Sequence, residues 1–323
     1  MGRPSRVTVD DRRVLKRLVE VCEWPCGKRF VAMLPLWLPW DEQGHGPYES
    51  GQRERLLSLS AATLDRHLTP MRKQAGIRGR SGTKPGSMLR EQIPIRSGPW
   101  DVTQAGFLEA DTVAHCGHSM AGQFAWSLTV TDIHTAWTEC RAVWHKQVRQ
   151  IRNALQDIDS TLPFTIKGFD CDNGSEFLNH TLVTHFQEHA DKPTFTRSRP
   201  YHKNDNAYVE QKNWTHVRHF FGYMRIDDRK HVDAMNDIYR DVSFILNYFT
   251  PTMKLISKER VGSKIRKKFD KPSTPLQRVL DDPSIPDATK AKLLHQFHAI
   301  NPVHLRYQIR AKLRNFNHTI SVT

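Results

Sequence analysis

Residues 124–132, FAWSLTVTD, place Phe124, Trp126, Leu128 and Val130 at every second position with smaller or polar residues between them. A period of two is that of a strand, because successive side chains leave opposite faces of the chain. Two further strand-like runs flank it: GFLEAD (106–111) before, and AWTECRAVW (136–144) after, the second reached through a brief Ile-His-Thr link. Three neighbouring strands with short connections predict an antiparallel meander. Beyond it, strands alternate with helices. A helix is expected over about 146–158, with Val148, Ile151, Leu155 and Ile158 on one stripe; a strand over 164–170; a helix over 175–190; a strand over 192–198; a helix from Ala207; and another over 232–249. A meander that passes into alternation predicts an α/β fold, a mixed five-stranded sheet flanked by helices.

The first 74 residues read differently. Val14, Leu15, Leu18, Val19 and Cys22 share a helical face, with Asp10 or Asp11 as the expected cap. A second apolar face follows in KRFVAMLPLWLPW, where Pro35 predicts an interruption, and 41–53 reads as a polar loop. A short helix with Leu56 and Leu57, then a helix capped by Ser60 and carrying Leu64 and Leu68, have the spacing of a helix-turn-helix. Its second helix would present Thr63, Arg66 and His67 to a DNA groove. The expected organisation is a helical DNA-binding domain over 1–74, a basic Gly/Ser/Pro-rich linker over 75–100, a catalytic core over 101–250 and a basic region over 251–323.

Charge follows these boundaries. Net charge is +8 over residues 1–100, −4 over 101–250 and +10 over 251–323. Basic arms about an acidic centre suit a protein that neutralises phosphates with its ends and gathers acids in its middle. The five cysteines are odd in number and irregularly spaced, which predicts a reducing, cytoplasmic setting rather than a disulfide framework. Cys22 and Cys26 have no second pair at zinc-site spacing. No run of 18 apolar residues predicts a membrane span, and MGRPSRVTVDDRR has no apolar segment behind its charges to make a signal peptide.

Three acids fall at element ends in the centre: Asp111 at the close of the first strand, Asp172 in DNGSEF at a strand exit, and Glu210 in the first turns of a helix, with separations of 61 and 38 residues. Carboxylates brought together without cations would repel, and hard oxygen ligands suit Mg2+ or Mn2+. Two such ions can activate a hydroxyl and stabilise the leaving oxygen of an in-line displacement at phosphorus. Asp170 competes with Asp172, since residues two apart in a strand share a face.

The segments LEAD, DNGSEF and RPYHKNDNAYVEQKN resemble the three acidic motifs of the DDE integrase/transposase superfamily, and the chain to about residue 280 is similar to bacterial insertion-sequence transposases with an integrase catalytic domain. The resemblance implies an RNase H-like core with Asp111, Asp172 and Glu210 as catalytic residues and ligands of two Mg2+ or Mn2+ ions. It implies metal-dependent cleavage and strand transfer of double-stranded DNA, end recognition by the helix-turn-helix, and a homo-oligomer on DNA in a bacterial cytoplasm. Arg197, Arg199, Tyr201, His202 and Lys203 become candidates for DNA contact near the metals, and Asn173 and Glu176 for supporting the acids. The second spacing exceeds the usual thirty-five intervening residues by two, which a longer loop over 199–206 would absorb. Two rival readings share the fold: a catalytically silent DNA-binding regulator, and a nuclease that does not join.

Overall fold

The computed structural model describes residues 7–75, 102–145, 147–171, 186, 192–197, 207–261 and 264–321; at some of these, Arg197 and Glu210 among them, only the backbone is described. The chain divides into two compact units, one of Met1–Lys84, Tyr248–Thr274 and Ala299–Tyr307, the other of Pro85–Asn247, Pro275–His298 and Gln308–Thr323.

In the first unit, α1 (Val9–Val21) opens on a capping box. Thr8 Oγ1 accepts from the Asp11 amide at 3.1 Å, and Asp11 Oδ2 accepts from the Thr8 amide at 2.9 Å. The cap is therefore Thr8, not Asp10 or Asp11; Asp11 is the reciprocal acid of the box. Its carboxylate also takes Arg55 Nε and Nη2 at 3.3 and 3.2 Å, joining α1 to α3 (Gln52–Leu57). Helix α2 (Gly27–His45) runs on through Pro35 and Pro39. The expected break at Pro35, and a loop from residue 41, are both corrected. Proline forfeits one helical hydrogen bond, but the face it would interrupt buries Phe30, Met33, Leu34, Trp37 and Leu38. Asp41 then anchors the last turns by accepting from Arg17 at 3.1 and 2.6 Å and from Tyr48 at 2.9 Å. After the turn Ser58–Ser60, α4 (Ala61–Gln74) is capped by Ser60 as expected, its hydroxyl accepting from the Thr63 amide at 3.2 Å. Gly27 admits close approach: its amide donates to Asp65 Oδ1 at 2.8 Å, and a Cβ there would lie 2.3 Å from the Ala61 carbonyl oxygen.

The same unit holds a hairpin that the sequence reading missed, β6 (Leu255–Val261) paired antiparallel with β7 (Lys264–Phe269). Its lysines and arginines hide the strand period.

The second unit contains a five-stranded sheet of order β3-β2-β1-β4-β5. Its strands are β1 (Phe107–Ala114), β2 (Ala125–Asp132), β3 (Thr138–Trp144), β4 (Gly168–Cys171) and β5 (Thr194–Arg197). The first three pair antiparallel; β4 and β5 add in parallel to β1. This is the mixed sheet that the alternation predicts. Every residue of β2 is buried, so both faces are covered. Helix α5 (Val148–Thr161) packs on β3, and α6 (Ala207–Lys212) on β1 and β2.

Two boundaries differ from expectation. Asp111 does not close β1: the strand continues through Thr112 and Val113, β-branched residues paired with Leu128 and Ser127. The strand expected over 164–170 is Gly168–Cys171. Phe164 and Ile166 are buried before it, and pairing starts only where the Gly106 carbonyl accepts from the amides of Lys167 and Gly168 at 2.7 and 3.1 Å.

Helix α8 (His231–Phe249) closes the free edge of β3 with two asparagines. Asn247 accepts from the Thr138 amide and donates to its carbonyl, both at 3.0 Å; Asn236 does the same for Ala142 at 2.7 and 3.0 Å. A capped edge offers no template for a further strand. Between α6 and α8 lie a π-helical segment Asn213–Arg218 and a single turn α7 (His219–Phe221). Helices α9 (Pro275–Asp281), α10 (Asp287–Ala299) and α11 (Pro302–Ser321) follow. No described helix is long and apolar enough to cross a membrane.

Candidate active site

Glu109 and Asp111 share one face of β1, because they are two residues apart in a strand. The helical run from Ala207 covers that face. The Val209 amide donates to Glu109 Oε2 at 3.3 Å, and Asn213 Nδ2 donates to Asp111 Oδ2 at 2.5 Å. The two contacts match in pitch: four helical residues advance about 6 Å, and two strand residues about 6.6 Å. The run therefore tracks β1, and the backbone of Glu210 lies in it between the two contact points.

Asp111 is half-buried and engaged at both oxygens, since the Thr112 amide also donates to Oδ1 at 2.7 Å. These neutral donors hold the rotamer. Asn213 Oδ1 is buried with no hydrogen-bond partner among the described residues. An unpaired buried acceptor costs on the order of 1–3 kcal/mol, so the place where this oxygen points suits a donor or a cation. Asn213 opens the π-helical segment, and such wide turns recur at functional sites.

Glu109 is 1% exposed and Asp170 fully buried, and they are register partners across β1 and β4. Thr196 Oγ1 donates to Asp170 Oδ1 at 2.6 Å. Asp170 thus sits inside the sheet. β4 ends at Cys171, level with Ala110. Asp172, next in sequence, lies outside the described residues, as do Asn173, Glu176, Arg199, Tyr201, His202 and Lys203. Arg197 ends β5 opposite Cys171. Among the described residues no group of three or more His, Cys, Asp and Glu is placed to hold a metal. The Asp111 carboxylate is a hard oxygen ligand of the kind that Mg2+ or Mn2+ accepts.

On α4, Arg66 is exposed and donates to Thr63 Oγ1 at 3.1 Å, while Thr63 and His67 are half-buried. Burial, with Arg12 and Arg66 nearby, pulls the His67 pKa down.

Sequence reasoning missed Asn213, Glu109, Arg218 and Arg225. Arg218 donates to the Ala114 carbonyl at 3.0 Å and lies 4.6 Å from the Tyr223 ring centre, bracing the end of β1. Asn213 stands three residues after Glu210, but nothing local says that it reaches Asp111. If Asp111 serves a bound divalent ion, Asn213→Ala lowers the activity it supports about 10–100-fold, the usual cost of losing a group that orients a metal ligand. Titrating Mg2+ and Mn2+ against this variant checks it, and an unchanged metal curve would exclude the role.

No protein-family profile matches the chain. It is 36% identical over 271 residues, 83% of its length and 76% of the relative's, to the uncharacterized protein y4rM of Sinorhizobium fredii. Three solved structures share weaker similarity. A simian T-cell lymphotropic virus intasome in complex with PP2A regulatory subunit B56 gamma gives a TM-score of 0.38 at 12% identity, over 50% of this chain and 55% of that one. The catalytic core domain of BIV integrase gives 0.36 at 14%, over 55% and 94%. The HTLV-2 integrase catalytic core domain in complex with magnesium gives 0.35 at 11%, over 46% and 92%.

Proposed function

We propose that this chain, which belongs to the family of the Sinorhizobium fredii protein y4rM, is a DNA transposase that cleaves and joins strands of double-stranded DNA. One observation carries the reading: Asp111 is gripped at both oxygens, and one grip comes from the helical run that contains Glu210. A carboxylate so fixed is prepared for a task that needs a set direction. Asp111, Asp172 and Glu210 are the residues that would hold two divalent ions, Mg2+ or Mn2+. Bound there, such ions supply Lewis acidity for the attacking hydroxyl and the leaving oxygen.

The chain's own groups do the positioning. Thr112 N–H and Asn213 orient Asp111, next to the buried Glu109 and Asp170. Thr63, Arg66 and His67 on α4, with Arg197, Arg199, Tyr201, His202 and Lys203, are the groups proposed to hold DNA. The element ends would be paired by a homo-oligomer.

The test uses duplexes taken from both flanks of the gene. With Mg2+, nicked and joined products are expected, and EDTA should remove both. Binding without any cut in Mg2+ or Mn2+ would favour a silent regulator. Cutting without joining would favour a nuclease.

A further inference from the structure

The loop between β1 and β2, Cys116–Gln123, is built around one side chain. Arg225 donates to four of its carbonyls: Cys116 at 3.2 Å, Ser119 at 2.9 Å, Ala121 at 2.7 Å and Gln123 at 3.4 Å. Asp227 pairs with its Nε at 2.8 Å, and Phe124 presents its ring 5.4 Å from the guanidinium. Gly117 and Gly122 have φ of +60° and +77°, and a Cβ at Gly122 would lie 3.2 Å from Arg225 Nη2. Both glycines let the loop close on the arginine.

This arrangement sets the direction of the peptide dipoles. In a planar trans peptide the N–H points opposite to the C=O. The Ser119 and Ala121 carbonyls turn inward to Arg225, so the amides of Met120 and Gly122 turn outward. Neither amide has a hydrogen-bond partner among the described residues. Residues 118–123 are all exposed, with Met120 at 62%. Outward amides on an exposed loop can donate to an anion. The loop continues from β1 at the end toward which β4 also runs. Cys116 is five residues beyond Asp111 and two beyond the end of β1, at most about 17 Å away along an extended chain.

We propose that loop 116–123 binds a phosphate of the DNA backbone that flanks the phosphate Asp111 serves. This rests on the reading of Asp111 as part of a DNA-cleaving site. Arg225 is the positioning residue, and the Met120 and Gly122 amides are the donors.

The test places a charge on the exposed Met120 and leaves Arg225 alone. The full chain binds an arbitrary 40-base-pair duplex in EDTA, where nothing is cut, across a salt series. Met120→Lys should tighten binding several-fold and steepen the logarithmic salt slope by about one; Met120→Glu should weaken binding by a similar factor. Leu294→Lys and Leu294→Glu, on the exposed face of α10 in the same unit, should change neither. Equal shifts at both positions, or none at 120, would overturn the proposal. So would loss of the Met120 effect when inorganic phosphate replaces chloride at equal ionic strength, since the loop would then be a free-anion pocket. Flank duplexes that fail to join while the Met120 variants still shift binding would remove the enzyme reading alone. Joining with no Met120 effect would remove the loop proposal alone.

Discussion

On the proposed reading, Asp111→Asn is expected to lower DNA joining by about a thousandfold or more, on the order of 4 kcal/mol of lost transition-state stabilisation, with duplex binding unchanged. The substitution keeps shape and removes charge. An asparagine oxygen still accepts from the Thr112 amide, as Asp111 Oδ1 does at 2.7 Å. Its amide nitrogen would meet Asn213 Nδ2, now 2.5 Å from Asp111 Oδ2, and Asn213 can answer by turning its unpartnered Oδ1 inward. The fold therefore keeps its hydrogen bonds, and the loss falls on chemistry. Joining on duplexes from the gene's flanks, with thermal melting as the control, measures it. Joining within tenfold of the parent would mean that Asp111 does not serve the reaction.

Gly106→Ala destabilises the sheet unit by about 3–5 kcal/mol, combining backbone strain with a buried overlap. Gly106 is buried at φ +112°, and an added Cβ would stand 2.5 Å from the Thr165 carbonyl oxygen and 3.1 Å from Lys167 Cγ. The residue is also a junction. Its amide donates to Asp132 Oδ1 at 2.8 Å, and its carbonyl starts the β1–β4 pairing through Lys167 and Gly168. Asp132 is itself fully buried, and that burial raises its pKa against the donors of Thr135 and Gly106. Displacing Gly106 moves the register that sets Asp111 beside the exit of β4. The matched control is Gly222→Ala, where φ is +58° but nothing stands within 4 Å of the added atom; there only the strain of about 1 kcal/mol remains. Urea midpoints of the two variants should differ severalfold in their shift, and equal shifts would locate the cost in φ alone.

Short-range signals account for what was legible. The alternation in 124–132 names β2 without help, because strand period is a property of neighbouring residues. Ser60 caps α4 for the same reason, and the helix expected from Ala207 begins there. Where tertiary packing outweighs local preference, the reading fails. Buried Phe30, Trp37 and Leu38 carry α2 through two prolines. Phe164 and Ile166 are apolar and buried, yet β4 begins at Gly168, where a partner amide ladder exists.

The candidate site divides along the same line. The amino-acid order alone determined the α/β alternation and the acidic centre between basic arms, since composition and period are carried by residues a few places apart; it put Asp111 at a strand end, and β1 instead continues three residues past it. Only the tertiary structure decided that Asn213 meets Asp111 across 102 residues, that a π-helical turn begins at that contact, and that Arg225 gathers a loop 102 to 109 residues upstream. Contacts at that separation depend on which faces the sheet and helices bury together, and no local spacing encodes that choice.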